Sequence, residues 1–584
     1  MTKLLKYLKP YTLMVIAVLA LTFGQVMADL QLPDYMAQIV NKGIVRQNNS
    51  LIFNTGFRML LISLLGGACA VGVGFLASRV ATGVSMNVRE KVFAKVESFS
   101  LREFDKFSTA SLIIRSTNDI QQLQMVLIML LRMVLMAPLM GVGAVFKAYA
   151  LAPSMTWIIA LAITVMVGMM IVLFAIAMPR FKLLQQLVDK LNLVTRQNLT
   201  GLRVIRAFNA EKHEEANFEK ANVELTGVNL FVNRLMVIMQ PMMMLIFNLT
   251  AVAVIWVGSH MIDTGNLMIG DMIAFMQYAM QVIMSFLFIS FIFIMVPRAS
   301  VSAQRVAEVI DTEPLIKDPQ NPIAFPVDTR GLIKFDDVTF SYPGADSPVL
   351  QNISFTAGPG ETTAFVGSTG SGKSTLINLI PRFYDVTGGR VLVNGIDIRN
   401  VTQEDLCEKI GYVPQKGALF SGTVSSNIKY GVPDASDEEM HAAAKIAQAS
   451  EFVENLEDKF ATPIAQGGTN VSGGQKQRLA IARALIKKPE IYIFDDSFSA
   501  LDFKTDAALR EALNDETRKA TVLIVAQRIG TIMNADKIIV LDGGKIVGTG
   551  RHKELIESCD VYKEIASSQL SEEELEGILG EELA

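Results

Sequence analysis

Six runs of roughly 20 mostly apolar residues, each the length of a helical bilayer crossing, constrain this 584-residue chain more than any other feature. They fall at about 11–32, 55–77, 126–149, 154–178, 242–261 and 268–296. Lys3, Lys6, Lys9 and Pro10 precede the first run and suit a short amphipathic stretch on the membrane surface. No small-residue cleavage site follows, so the first run is expected to stay as a span and not to be removed as a signal peptide. The connections after spans one, three and five carry only Lys42, Arg46 and Lys147. Those after spans two and four are long and basic, including Arg79, Arg89, Lys91, Lys95, Arg102, Lys106 and Arg115, then Arg180, Lys182, Lys190, Arg196, Arg203 and Arg206. Basic connections face the cytoplasm, which places both chain ends there in a multi-pass protein of the cytoplasmic (cell inner) membrane.

The two basic connections keep helical apolar spacing over 79–99 and 182–203, so they are expected to prolong spans two and four beyond the bilayer. Two separate soluble helices are the alternative. Cytosolic turns are expected at 101–108 and 206–218. Methionines recur along one helical face in span three (Met125, Met129, Met133, Met136, Met140) and span six (Met268, Met272, Met276, Met280, Met284). Such faces suit varied apolar ligands, and equally suit helix packing or lipid contact. Asp29 and Arg132 are charges inside apolar runs; Arg132 is a candidate for a cavity or for an ion pair.

Composition changes sharply past residue 310. Residues 1–320 hold 27 Lys/Arg against 19 Asp/Glu and 28 of the 30 methionines; the rest holds 26 against 38. After Pro297 a charged helix over 298–310 is expected, then a linker at 311–330 with Pro314, Pro319, Pro322 and Pro326. This gives a membrane domain at 1–310, a second domain at 331–570 and an acidic, solvated tail at 571–584. Cys69, Cys407 and Cys559 lack ligand spacing, which argues against a disulfide framework or zinc site.

Short β-rich runs alternating with helical segments mark the second domain as α/β. A strand at 363–366 runs into Gly367-Ser368-Thr369-Gly370-Ser371-Gly372-Lys373-Ser374, followed by Thr375. This matches the phosphate-binding loop: its amides curl around phosphates, Lys373 supplies charge, and the Ser374 hydroxyl suits Mg²⁺. A second apolar strand, 491–494, ends in Asp495-Asp496, and the first carboxylate suits Mg²⁺. Those elements alone fit a kinase, helicase or motor as well as a transporter.

Val471-Ser472-Gly473-Gly474-Gln475, 20 residues before the acidic strand, narrows the choice. The second half resembles the nucleotide-binding domain of ATP-binding cassette (ABC) transporters, whose signature is L-S-G-G-Q, with Val471 a departure. Tyr342 matches the family's adenine-stacking aromatic, Gln415 its Q-loop residue contacting Mg²⁺ and the membrane domain, and Ser499–Asp502 its D-loop. Residues 198–208 resemble the second cytosolic connection. The whole layout is similar to an ABC exporter half-transporter. The resemblance implies six long membrane helices followed by an α/β P-loop domain with a helical subdomain. It also implies ATP and Mg²⁺ as cofactors, with Ser374, Gln415 and Asp495 at the metal.

Two positions depart from the family. Asp496 stands where a glutamate polarises water, and Gln527 stands where a switch histidine is usual. Losing a methylene retracts the carboxylate by ~1.5 Å, and an amide cannot carry an imidazole's proton. Because the family pairs one domain's phosphate loop with the other's signature, the resemblance implies a degenerate site here. Its partner would be a second half-transporter with the consensus Glu and His. Gln466 replaces a common acid and leaves that partner's turns without a defined contact. The expected cargo is a hydrophobic or amphipathic drug or lipid, with membrane lipids around it and no nucleic acid. The alternatives are a mainly regulatory ATP-binding subunit of a lipid or peptide transporter, and a homodimeric exporter. A peptide exporter with a protease domain and an importer are both disfavoured.

Overall fold

The computed structural model describes residues 2–326 and 329–570. The tail at 571–584 and linker positions 327 and 328 therefore lie outside the described residues. The chain divides into two compact units, Met1–Glu97 with Thr109–Thr312, and Ser98–Ser108 with Glu313–Ala584.

The first unit is built of helices. A 3₁₀ segment, Thr2–Tyr11, enters α1 (Thr12–Gln38), and α2 (Asn49–Glu97) follows. Then come α3 (Leu101–Phe107), which belongs to the second unit, α4 (Thr109–Ser116), α5 (Asn118–Leu151), α6 (Thr156–Ala207), α7 (Glu211–Asp263) and α8 (Ile269–Asp311). Among the described residues, six helical stretches are long and apolar enough to cross a membrane. As the basic connections predicted, α2 and α6 run on without a break.

Three expectations need correcting. The stretch 101–108 is not a turn but a helix closed by a capping box, in which the Ser100 amide donates to Glu103 Oε2 at 2.8 Å. The second expected turn shrinks to 208–210, because α7 begins at Glu211 and gives span five its own long charged extension. Its 31 residues before Met242 are too polar to register as a span, yet contain few helix breakers. Nor does a separate helix follow Pro297, which sits inside α8. Proline removes a single amide donor. Ala299, Ala303, Val306 and Val309, all fully buried beyond it, keep the helix anchored.

Val26 and Leu30 of α1, Ala144 and Ala148 of α5, and Phe275, Tyr278 and Val282 of α8 form the core of this unit. Small residues let the axes approach: a Cβ on Gly143 would fall 2.4 Å from Leu30 Cδ1. Met136, Met140, Met272 and Met276 pack on this core, whereas Met125, Met268, Met280 and Met284 are exposed. Packing thus accounts for part of each stripe. Arg132 is exposed and makes no ion pair among the described residues. A charge pair between α1 and α5 does form, at residues the sequence alone did not single out together: Lys147 Nζ donates to Asp34 Oδ2 at 2.6 Å, and the Tyr278 hydroxyl donates to Asp34 Oδ1 at 2.6 Å.

In the second unit, β1 (Ile333–Phe340), β2 (Leu350–Ala357) and β4 (Gly388–Val393) pair antiparallel in the order β2-β1-β4, with a short edge at Ile396–Asp397. The larger sheet contains β3 (Thr362–Gly367), β5 (Ile410–Val413), β6 (Ile491–Asp495), β7 (Thr521–Val525), β8 (Lys537–Asp542) and β9 (Lys545–Gly550). Its order is β9-β8-β3-β7-β6-β5, parallel apart from β9. β6 and β7 are buried along their whole length, which explains the apolar runs 491–494 and 522–525. The phosphate-loop helix is α9 (Lys373–Asn378), the signature helix α10 (Gly473–Leu485), and α11 (Phe503–Glu516) lies between β6 and β7 in sequence.

His552 is buried beside Tyr562, with Nδ1 2.6 Å from the phenol oxygen and Nε2 without a hydrogen-bond partner among the described residues. Burial pushes its pKa below the ordinary 6.5. The unfolded chain therefore takes up a proton near pH 6.5 before the native imidazole does. Stability is expected to hold above pH 6.5 and to fall as pH drops below it. Thermal melts from pH 8 to 5 check this, and His552→Gln should flatten the acid limb; an unchanged slope would refute the assignment.

Candidate functional site

Parallel strand order brings the distant site residues together. Val413 pairs with Phe494, and Val525 with Asp495, so β5, β6 and β7 end side by side. Gln415, Asp496 and Gln527 follow those ends and meet: Gln415 Nε2 donates to Asp496 Oδ2 at 3.2 Å, and Gln527 Nε2 donates to the same oxygen at 3.1 Å. Asp496 is 7 % exposed and sits at a left-handed φ of 46°, with its amide donating to Val525 O at 2.9 Å. A non-glycine residue there is strained by about 1–3 kcal/mol, a conformation that turns the carboxylate back toward both amides.

The loop 367–374 joins β3 to α9 through glycines that close contacts require. A Cβ on Gly367 would lie 2.0 Å from Leu541 O. Gly372 has φ +96°, and its Cβ would meet Leu350 Cδ2 at 2.7 Å and Val349 O at 3.2 Å. Lys373 Nζ donates to Gly367 O and Ser368 O, each at 2.8 Å, and lies 3.3 Å from Ser371 Oγ. Burial lowers its pKa, against the charges of Asp496 and Asp495. Ser374 Oγ donates to Asp495 Oδ1 at 2.9 Å. Burial raises the Asp495 pKa, Ser374 opposes this, and the Asp496 charge adds to it. A hard divalent cation is favoured by oxygen donors of this kind, so the set fits Mg²⁺. Thr369 and Gly370 are exposed at the loop tip.

Gly372→Ala is expected to lower ATP affinity at least tenfold and to reduce the melting temperature. The αL penalty is ~1–2 kcal/mol before the clash with β2 is added. Titration with a fluorescent ATP analogue checks it; parental affinity would show that the loop adapts.

Tyr342 follows β1, and its hydroxyl lies 3.0 Å from Thr375 Oγ1. The remaining predicted residues lie apart: among the described residues no hydrogen bond joins 472–475 or Asp502 to the phosphate loop. Ser472 is exposed and caps α10, its amide donating to Gln475 Oε1 at 2.9 Å while Gln475 N donates to Ser472 Oγ at 3.3 Å. Gly473 is also exposed, and a Cβ on Gly474 would lie 3.1 Å from Ala500 O. Asp502 caps α11 by accepting from Thr505 N at 2.9 Å. Sequence reasoning missed Tyr384, which packs on Tyr342 at 5.4 Å between ring centroids. The adjacent aromatic pair Phe383-Tyr384, just beyond the phosphate-loop helix, was the available signal.

A six-span membrane unit joined to a phosphate-loop domain with its own signature helix defines a nucleotide-dependent membrane transporter. The ABC transporter transmembrane region matches residues 15–286, and the ABC transporter nucleotide domain matches residues 350–499. An ABC transporter ATP-binding protein of Mycobacterium tuberculosis is 42% identical over 97% of this chain and 97% of its own length. An ATP-dependent lipid A-core flippase of Syntrophus aciditrophicus is 32% identical, over 88% of this chain and 86% of its own. The solved structure of a bacterial Atm1-family ABC exporter with ATP bound superposes with a TM-score of 0.79 at 26% identity, covering 97% of this chain and 99% of that one. The chain belongs to the ABC transporter family, as a multi-pass exporter with fused transmembrane and ATP-binding domains.

Proposed function

We propose that this chain is one half of a heterodimeric exporter, and that its own phosphate loop forms a site that holds ATP and hydrolyses it slowly. The observation that carries this is the double amide clamp on Asp496 Oδ2. An oxygen that already accepts from two amide donors has its lone pairs taken and is not free to accept a hydrogen bond from an attacking water. Neither Gln415 nor Gln527 can take a proton in its place. Lys373, Ser374 and Asp495 keep what phosphate and Mg²⁺ binding need. Tyr342 offers its ring to adenine, and Thr375 holds that ring on α9.

In this reading Ser472, Gly473, Gly474 and Gln475 serve the partner's ATP, which fits the exposure of Ser472 and Gly473 and the distance of all four from this chain's loop. Asp502 anchors the D-loop beside them. The domain at 331–570, joined by the linker at 311–330, drives export by the membrane unit at 1–310, with both chain ends in the cytosol. The cargo is a hydrophobic or amphipathic compound. The flippase among the relatives favours a lipid-like one, and the exposed Met280 and Met284 suit such a surface.

Co-expression with a second half-transporter that carries the consensus glutamate and histidine tests this. A stable one-to-one complex, whose ATPase responds to cationic amphiphiles and depends on the partner's glutamate, is expected. A fully active homodimer would sink the proposal.

A further inference from the structure

Gln527 and Arg528 stand on a stretch of backbone that the sheet has stopped holding. The strand pairing of β7 ends at Val525, and its last bond to β3 runs from Ala526 N to Phe365 O at 3.3 Å. The helix that follows, Ile529–Ile532, receives no side-chain cap from Arg528 at its start. The Gln527 carbonyl and the Ile529 amide therefore need partners from elsewhere. One side chain serves both: Gln569 Nε2 donates to Gln527 O at 2.8 Å, and Ile529 N donates to Gln569 Oε1 at 2.9 Å. An amide carries a donor and an acceptor side by side, which suits a carbonyl and an amide on either side of one residue. Gln569 lies just past the C-terminal helix α12 (Asp560–Ser567), which the fully buried Tyr562 and Ala566 fix to the domain core.

The side chains on this pinned stretch reach other parts of the ATP machinery. Gln527 donates to Asp496 Oδ2. Arg528 turns to the D-loop: its Nη2 donates to Ser499 O at 3.4 Å, and its Cζ lies 5.5 Å from the Phe503 ring centroid. Ser499 Oγ donates in turn to Asp496 O at 2.8 Å, and Arg510 of α11 donates through Nη1 to Gly530 O at 2.8 Å. We infer that Gln569 is a positioning residue for ATP hydrolysis, which fixes the backbone on both sides of Arg528 and so sets where Arg528 meets the D-loop. The Arg528–Ser499 bond is already longer than the usual 2.7–3.2 Å, so a small backbone shift breaks it. Gln527, Arg528 and Gln569 are all exposed. Water can therefore replace the bonds a variant loses, and the fold survives; what is lost is placement, where an error of ~1 Å can cost 10²-fold in rate.

The inference rests on the D-loop serving hydrolysis and holds whether the partner is a different chain or a second copy of this one. Steady-state kinetics of the full-length transporter, in whichever assembly hydrolyses ATP, test it. Gln569→Met keeps the length of the side chain and removes both bonds. It is expected to lower kcat about fivefold while KM for ATP stays within about twofold, because Lys373, Ser374 and Tyr342 are untouched. Gln569→Glu keeps the acceptor for Ile529 N but sets a carboxylate against Gln527 O, and should lose at least as much. Ser568→Ala, on the same turn, should match the parent. Arg528→Met should reproduce the loss, and adding Gln569→Met to it should cost nothing more, since the two act through one contact. Losses that multiply in the double variant overturn the inference, as does a parental kcat in both Gln569 variants. A tenfold rise in KM also overturns it, because Gln569 would then support nucleotide binding. A fully active homodimer would remove the heterodimeric reading and leave this one standing.

Discussion

Ser472→Arg is expected to lower transport-coupled ATP hydrolysis of the complete transporter by roughly 10²-fold or more, while Asp496→Asn in the same chain leaves it within about twofold. Ser472 caps α10, so any replacement that cannot cap weakens the helix start by about 1 kcal/mol. The larger effect is electrostatic. An exposed helix start with aligned amides favours an anion, and loss of one preorganised donor to a reacting oxygen typically costs 10²–10³-fold. An arginine there also fills the space a phosphate needs. Asp496, by contrast, already has one oxygen held by two glutamines, so replacing it removes little. Steady-state ATPase of the two variants, each assembled with wild-type partner, decides the matter. A collapse with Asp496→Asn would end the asymmetric assignment.

The second large effect is a gain. Asp496→Glu combined with Gln527→His should raise turnover at this chain's site by ~10²-fold, the lower bound for restored general-base catalysis. Gln527→His alone should give far less, since Gln415 still donates to the aspartate and the carboxylate remains a methylene short. The measurement is hydrolysis in a complex whose partner glutamate has been changed to glutamine, leaving one site to report. If the double variant stays as slow as the parent, the clamp is not what limits the site.

Much of this site was legible because it is local in sequence. The loop 367–374 carries its glycines, lysine and hydroxyl within eight residues, and the signature 471–475 within five. The identities of Asp496 and Gln527 could likewise be read in place. Their meeting at one oxygen could not, because 31 residues separate them and 81 separate Asp496 from Gln415. The extension of α7 was missed for a different reason: a span is recognised by apolar length, and residues 211–241 offer a charged surface instead. Pro297 misled in the opposite direction, since a helix held by buried residues on its far side survives the loss of one donor.

The sequence by itself determined the six apolar stretches, the asymmetry of charge between their connections, the change of composition near residue 310 and the chemistry available for phosphate and Mg²⁺. Each of these depends on hydrophobic length, charge or a contiguous motif, which are properties of neighbours along the chain. Only the tertiary structure decided that Asp34 is the charge paired with Lys147, that Asp496 shares one oxygen between two amides, and that Gln569 holds the backbone on both sides of Arg528. Those contacts arise where parallel strands end side by side or where helices pack, and no spacing in the sequence encodes which side chains will then face one another.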